Sequence, residues 1–203
     1  MIQEKVKAAR GRPKTINRER ILEVAMKAYW QEGTRGVSIN EICKLAEVSK
    51  PGLYREFGNE DGLMEAALAA YIEQTFSPLI ASLESQRSFS AVLAELVNFV
   101  CNERKELPDG CLMVKMRDAQ PSLGDKTQSA LAEIHYQFMV FIESWAQKAK
   151  ESGEIPETMS NRFVADYVDA QITAALAQRA RGEDAEKVRT VLKMAFSVFD
   201  KPA

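Results

Sequence analysis

Hydrophobic residues recur every three or four positions along most of this chain, which is the spacing of one apolar face on an α-helix. The first such segment covers about residues 18–31 and stops at Gly33. Two short segments follow within residues 38–57, and a fourth helix runs from about Asn59 towards Pro78. No segment alternates convincingly as a strand, so the pattern predicts an all-α fold of about nine helices.

Glycine and proline separate the remaining predicted helices, because both residues interrupt a helical pattern. The fourth helix is the expected connector between an N-terminal head and a larger body. The predicted limits in the body are a fifth helix from Ser88 or Ser90 to before Pro108, a short helix within residues 111–119, a long one over about 123–150, and two last ones over about 160–180 and 184–199.

Residues 38–57 carry the start signals of two short helices joined by a tight turn. Ser38 and Glu41 have the spacing of a capping box, in which each side chain bonds the backbone of the other residue. Ser49 is the expected N-cap of the second helix, and Pro51 falls in its first turn, where a missing N–H costs little. The segment therefore predicts a helix-turn-helix whose second helix enters a DNA major groove.

Helical spacing divides this motif into an inner and an outer face. Ile42, Leu45 and Ala46 are predicted to form the apolar face of the first short helix, and Leu53 and Phe57 that of the second. The positions left for a DNA partner on the second helix are Lys50, Gly52, Tyr54 and Arg55.

From Gly11 to Leu63 the chain resembles the tetracycline-repressor (TetR/AcrR) family of bacterial one-component regulators. The resemblance rests on a basic arm, on YWQEG at residues 29–33, on the helix-turn-helix, and on FGN at residues 57–59. Beyond about residue 71 the chain is similar to the family mainly in having helices of suitable length.

The chain departs from the family pattern in the motif and just after it. Cys43 stands where the family usually has alanine, and Glu47 where it has glycine, so a non-glycine residue must adopt a left-handed turn at a cost of about 1 kcal/mol. Glu60 and Asp61 stand where the family often has a phosphate-contacting lysine. These acids suit the helix dipole but repel DNA, so no phosphate contact is expected there.

The resemblance implies a set of DNA contacts and a dimer that makes them twice. By position in the family motif the contacts come from Ser38, Lys50, Pro51, Gly52 and Tyr54, to which side-chain chemistry adds Arg55. The basic arm would reach the minor groove or the phosphate backbone through Arg10, Arg12 and Lys14. One motif covers only a few base pairs, so useful affinity requires a homodimer on a palindromic operator of double-stranded DNA.

Charge is distributed unevenly between the two ends of the chain. Residues 1–60 hold twelve basic and eight acidic residues, a net charge of +4, whereas the remainder carries −6. This distribution favours a DNA-binding module joined to a domain that does not bind DNA. Together with the resemblance, it implies a basic arm at residues 1–16, a DNA-binding domain at 17–60 and a ligand-binding and dimerisation domain at 61–203. A polar start, no apolar run of membrane-spanning length and an odd number of cysteines lead us to expect a cytoplasmic protein without a disulfide framework.

The last two predicted helices carry apolar and small residues on repeating faces. Two such helix pairs would form a two-fold, four-helix dimer interface, although the same faces also suit the core of one chain. The candidate interface residues are Phe163, Tyr167, Ile172, Ala175, Leu176, Val188, Val191, Leu192, Ala195 and Phe196.

A ligand pocket is expected, by the resemblance, among the helices of the body. Aromatic and methionine side chains suit varied apolar ligands, but such stripes are also common in ordinary cores. His135 is the only histidine, which makes a metal site a poor prediction, and no cofactor is expected. The candidate pocket residues are Phe99, Cys111, Met113, Met116, Tyr136, Phe138, Met139 and Phe141.

Cys111 lies in a segment, residues 109–115, that resembles an element of those family members in which a cysteine senses electrophiles or oxidants. A thiol near a helix start and close to Lys115 would have a lowered pKa and react as thiolate. The alternative is that Cys111 is a small buried hydrophobic residue.

The sequence thus predicts a homodimeric transcriptional regulator, a repressor that an unknown small molecule, with electrophiles or oxidants among the candidates, releases from DNA through a shift of the fourth helix. One alternative is a structural, nucleoid-organising DNA-binding protein without an effector. An enzyme with Cys111 as nucleophile is a further alternative, but no orienting partner is recognisable, so we expect no catalytic residues.

Overall fold

The computed structural model describes residues 17–102 and 107–200. It confirms the all-α prediction, since no strand occurs among these residues. A π-helical turn, Ile72–Phe76, joins the fourth and fifth helices, and 3₁₀ turns lie at Gln120–Ser122 and Ser197–Phe199. The helices are α1 Arg18–Glu32, α2 Ile39–Leu45, α3 Lys50–Phe57, α4 Glu60–Tyr71, α5 Ser77–Glu84, α6 Phe89–Cys101, α7 Leu112–Asp118, α8 Asp125–Glu151, α9 Asn161–Ala180 and α10 Ala185–Phe196.

The predicted fourth helix towards Pro78 is formed by α4, the π turn and α5 without a break. Pro78 has no N–H, and its ring conflicts with the carbonyl four residues earlier, so a regular helix is disturbed there. The turn before it absorbs one extra residue, and the Ser77 N–H donates to the Ile72 carbonyl, five residues back. If α4, the π turn and α5 are counted as one helix, the described residues contain nine helices, which agrees with the predicted number.

Two layers of helices meet at α4. In the head, α1 packs on α4 and α2, and the largest buried side chains there are those of Tyr29 and Trp30. In the body, α8 and α9 pack along each other, and α6 and α10 cover α9. Helix α4 also contacts α8, so it packs against both the head and the body.

Leu45 is the clearest departure from the predicted apolar faces. It is 56% exposed, although it was expected to lie in the core beside Ile42. The inward stripe of α2 instead follows positions i, i+3, i+4 and i+7, at Ile39, Ile42, Cys43 and Ala46. Leu45 lies one residue away from this stripe and therefore faces outwards.

Among the described residues, no helix combines the length and the hydrophobicity that a membrane crossing requires.

Candidate functional site

The helix-turn-helix is held in shape by hydrogen bonds between close sequence neighbours. The Ser38 N–H donates to Glu41 Oε2 at 2.7 Å, and the Glu41 N–H donates to Ser38 Oγ at 3.3 Å, so the predicted capping box is present. Ser49 caps α3 by accepting from the Gly52 N–H at 3.2 Å. Glu47 has φ = 53°, and no other non-glycine residue in the described chain has a positive φ. The turn thus contains the left-handed residue that the sequence predicted.

The outer face of α3 is basic and accessible. Lys50, Pro51 and Arg55 are exposed, whereas Leu53 and Phe57 are buried in the core. The Lys50 ammonium lies 5.5 Å from the centre of the Tyr54 ring. Two cations on an exposed helix held by its caps are suited to phosphate oxygens and guanine edges.

Two residues of the predicted DNA face are less accessible than expected. Gly52 is buried, because its N–H lies inside the Ser49 cap at the helix start. Tyr54 is half-buried, and its hydroxyl donates to Glu60 Oε1 at 3.1 Å. A phosphate that accepts from Tyr54 would therefore have to displace Glu60. Ser38 is exposed, while Arg10, Arg12 and Lys14 lie outside the described residues.

Asp61 has a function that the sequence did not indicate. Its carboxylate accepts from the Lys126 N–H at 3.0 Å and from the Thr127 N–H at 3.1 Å, and the Thr127 hydroxyl donates to Oδ1 at 2.7 Å. A side chain at Gly124 would overlap this carboxylate. Asp61 on α4 thus supplies the cap that Gly124 cannot give to α8.

These contacts also set the protonation of Asp61. Burial alone raises the pKa of the carboxyl, but the hydrogen bonds from Thr127 and Lys126 outweigh burial and hold the pKa below its ordinary value. The only sequence signal for this clamp was a glycine, Gly124, at the N-cap position of α8, which has no side chain to accept from the first N–H groups of the helix.

A cavity lies in the body between α5, α6, α7, α8 and α9. The space between its walls amounts to about 610 Å³ when the open mouth is counted, but the volume open to the centre of a water-sized sphere is only about 60 Å³. Its lining residues are Phe76, Leu79, Leu96, Phe99, Cys111, Met113, Val114, Arg117, Leu131, Ile134, His135, Phe138, Asp169, Ile172, Thr173 and Leu176.

Half of the predicted pocket residues line this cavity and half do not. Those that line it are Phe99, Cys111, Met113 and Phe138. On α8 the lining residues follow helical spacing from Leu131 to Phe138, and Tyr136 falls between them, 63% exposed. Met116 and Met139 are buried in the core, and Phe141 is half-buried, all outside the cavity wall. These four side chains pack or face solvent in the described structure.

One end of the cavity is polar. Nη1 and Nη2 of Arg117 each lie 3.4 Å from an oxygen of Asp169, and Nη1 lies 3.4 Å from His135 Nδ1. His135 Nδ1 is 3.8 Å from Asp169 Oδ1. No sequence pattern indicated Arg117 or Asp169, because 52 positions separate them and no local motif joins them.

Cys111 lies where the cavity meets the head. Its sulfur is 3.1 Å from the Tyr71 hydroxyl, and the Tyr71 ring packs edge-on against Trp30 of α1, with centroids 4.8 Å apart. The Lys115 ammonium donates to the carbonyl of Gln31 in α1 at 2.8 Å, and burial lowers the pKa of Lys115. This ammonium, expected to act on the thiol, is thus bonded to α1.

The predicted dimer residues divide into two groups. Phe163 and Val191 are exposed, and Tyr167 and Ala195 are half-buried, with the Tyr167 hydroxyl donating to the Ala195 carbonyl at 3.0 Å. The other predicted interface residues are buried within the chain itself: Ile172, Ala175, Leu176, Val188, Leu192 and Phe196. Met194, which is 76% exposed, and Val198 extend the exposed group and were missed.

The sequence and the fold both match known regulators. Residues 21–67 match the family described as bacterial regulatory proteins, tetR family. Over 190 residues the chain is 28% identical to the HTH-type transcriptional repressor ComR of Escherichia coli (strain K12), which covers 92% of this chain and 90% of that protein.

Two solved structures have the same fold. The reduced form of NemR from E. coli superposes with a TM-score of 0.76 at 20% sequence identity, over 92% of this chain and 98% of that one. A cysteine mutant of the TetR family regulator CifR, in complex with 26-bp double-stranded operator DNA, gives 0.73 at 21% identity, over 91% and 97%. At these identities the likeness concerns the fold.

Proposed function

This chain belongs to the TetR family of bacterial transcriptional regulators, and from this premise we propose that it is a homodimeric repressor, released from a palindromic operator by a small molecule. The observation that carries the proposal is the exposed basic face of α3, held in place by local caps. Residues 17–60 would bind DNA, with the arm at 1–16, and residues 61–203 would bind the effector and form the dimer.

On the operator, α3 of each protomer lies in a major groove, with the two half-sites about one helical turn apart. Lys50 and Arg55 are placed to meet phosphates or base edges. Tyr54 reaches a phosphate once its hydroxyl leaves Glu60.

The exposed apolar residues of α9 and α10 support the dimer. Large apolar side chains clustered on a surface are typical of an interaction site. The stripe formed by Phe163, Val191, Met194 and Val198 is exposed in the single chain, so a second copy would cover what the core does not use. An interface that repeats the same patch on both copies is the expected two-fold arrangement.

Effector binding would reach the head by way of the cavity walls. Helix α7 lines the cavity and its Lys115 holds the end of α1, while α8 lines the cavity and is clamped by Asp61 at the start of α4. A ligand that fits better when these walls have shifted would favour a head spacing that no longer matches the half-sites.

Cys111 is the residue through which an electrophile or oxidant would act. Its sulfur lines the cavity and bonds Tyr71, so an added group would disturb the contact that joins the cavity to Trp30. Alkylation should release DNA from the wild type and not from Cys111→Ser; equal release from both would remove this effector class.

The test begins with an unbiased selection of DNA sites, followed by fluorescence anisotropy on the selected duplex. We expect a Lys50→Ala/Tyr54→Ala variant to lose about a hundredfold in affinity, because direct contacts are worth about 1–3 kcal/mol each. Lys148→Ala, on an exposed part of α8, is the matched control and should bind as the wild type does.

A Met194→Glu variant tests the dimer in the same assay. It should be monomeric by light scattering. Its affinity for the full palindrome should be weak, whereas its affinity for a single half-site should be reduced less. The proposed function is wrong if the wild type binds selected DNA as a monomer, or if the variant at Lys50 and Tyr54 binds the operator unchanged.

A further inference from the structure

Three helices bring an ionic cluster to one end of an otherwise apolar cavity. Arg117 comes from α7, His135 from α8 and Asp169 from α9, while the remaining wall is dominated by side chains such as Phe99, Leu131 and Phe138. A charged pair beside apolar walls needs a partner for each of its polar groups that is turned away from water. The cluster therefore fixes what kind of headgroup the cavity can accept.

The contacts inside the cluster are longer than those of a closed ion pair. Its four described contacts measure 3.4–3.8 Å, whereas charge-assisted N–H···O bonds are about 2.7–2.9 Å long. The guanidinium has five N–H groups, and its two terminal nitrogens make all of these contacts on the Arg117 side. Donors thus remain available for a further acceptor.

The acceptors of the cluster are, in contrast, already engaged. Both oxygens of Asp169 face Arg117, and Oδ1 also faces His135. The Nδ1 atom of His135 lies near both an Arg117 nitrogen and Asp169 Oδ1, so Nε2 is the ring nitrogen that remains for a ligand. Exposure points the same way: the Asp169 side chain is 18% exposed, against 34% for Arg117 and 36% for His135. The groups within reach of a ligand are therefore the donors.

We propose that the effector is a compact apolar monocarboxylate, whose carboxylate is bound by Arg117 and His135 while its hydrocarbon part lies along the apolar wall. The proposal rests on the proposed function in that the cavity is taken as the effector site. Arginine suits this task because its planar fork matches a carboxylate with two parallel bonds. Asp169 pairs with the guanidinium at the cavity wall.

The test measures binding to the full-length protein without DNA, by isothermal titration calorimetry with three probes of equal chain length. Octanoate carries the carboxylate, octanol is uncharged and octylamine is cationic. We expect octanoate to bind the wild type at least about tenfold more tightly than either of the others, because hydrogen bonds to charged groups are the stronger ones.

Substitutions assign that preference to the cluster. Arg117→Gln should lower octanoate affinity about tenfold or more and leave octanol binding within about twofold, and Arg117→Lys should fall between, since it keeps the charge but not the fork. Asp169→Asn should not weaken octanoate, because it removes a competing negative charge. Arg162→Gln, at an exposed arginine that also pairs with an aspartate on α9, is the matched control and should bind as the wild type does. Circular dichroism checks that each variant is folded.

Three results would overturn the proposal: tighter binding of octylamine that Asp169→Asn abolishes, equal octanoate binding by the wild type and Arg117→Gln, or no octanoate binding at millimolar concentration. Operator release is measured separately. Octanoate binding that depends on Arg117 but leaves operator affinity unchanged would support the ligand class and contradict the release mechanism, so the two hypotheses fail in different ways.

Discussion

The head helices and helix α8 of the cavity wall take their N-terminal caps from different parts of the chain. Each of α1 to α4 is capped by the residue just before it, Asn17, Ser38, Ser49 and Asn59 respectively, with a partner three residues on. Neither α7 nor α8 has a side-chain cap of its own, and α8 takes its cap from Asp61 of α4. The head helices are thus capped by their own sequence, as are α6 and α9 of the cavity wall, whereas α8 depends on a contact with the head.

This difference bears directly on regulation. A helix with its own cap keeps its limits when its surroundings move, while a helix capped from another element moves with that element. Between cavity and head the links are Asp61 with Thr127, Lys115 with Gln31, and Tyr71 between Trp30 and Cys111. For the proposed release by an effector, we therefore expect transmission through these few contacts, the seam between cavity and head, rather than through rearrangement of the head itself.

The largest effect is expected from removing Trp30, which is fully buried at this seam. Trp30→Ala should lower the free energy of unfolding by about 3–5 kcal/mol, since it removes a large side chain from the core and leaves Tyr71 without its ring partner. Urea unfolding followed by circular dichroism measures the loss. Tyr136→Ala, at an exposed aromatic residue, should change stability by no more than about 0.5 kcal/mol. Similar losses in both variants would contradict a seam that depends on Trp30.

An intermediate effect is expected at the clamp between α4 and α8. Asp61→Ala should cost about 1–2 kcal/mol at neutral pH, because it removes a cap and leaves the first N–H groups of α8 unpaired. Asp125→Ala removes an exposed acid from the first turn of the same helix and is the matched control. If the two alanine variants lose equal stability, the helix dipole rather than the clamp accounts for the effect of Asp61.

Low pH should remove the stabilisation that Asp61 contributes to the folded protein. Its pKa is held below the ordinary value in the folded protein, so its contribution is complete above the unfolded pKa and is lost as the pH falls through the folded one. The stability of the wild type and of Asp61→Ala should therefore converge below about pH 4, as thermal unfolding at several pH values would show. A constant difference down to about pH 2 would mean that the charge of Asp61 does not contribute.

The features that could be predicted from the sequence are the local ones, and those that could not are the contacts between distant residues. The capping box, the Ser49 cap and the left-handed Glu47 were predictable because each depends on residues within a few positions. The clamp joins Asp61 to Thr127 across 66 positions, and no periodicity reports such a pair. In the same way helical spacing predicted that α8 has an inner face, but not that its wall would include His135 rather than Tyr136.

Burial on α9 and α10 shows a second limit. An apolar stripe on a helix predicts that the stripe is buried, but it does not predict whether the same chain or another copy buries it. Leu192 and Phe196 are covered within the chain, whereas Val191 and Met194 on the same helix are exposed. Only the packed structure separates the two sets, because their division depends on how α10 is rotated against α6 and α9.

The smallest effect tests whether the head carries strain that its own sequence introduced. Glu47→Gly should stabilise the protein by about 0.5 kcal/mol, because relief of about 1 kcal/mol at φ = 53° is partly offset by the greater freedom of glycine in the unfolded chain. The melting temperature would rise by about 1–2 °C. Glu47→Ala keeps the Cβ atom and loses only the side-chain interactions, which include a 4.0 Å pair with Arg20. An equal rise in both variants would attribute the gain to the side chain, and the turn would then be unstrained.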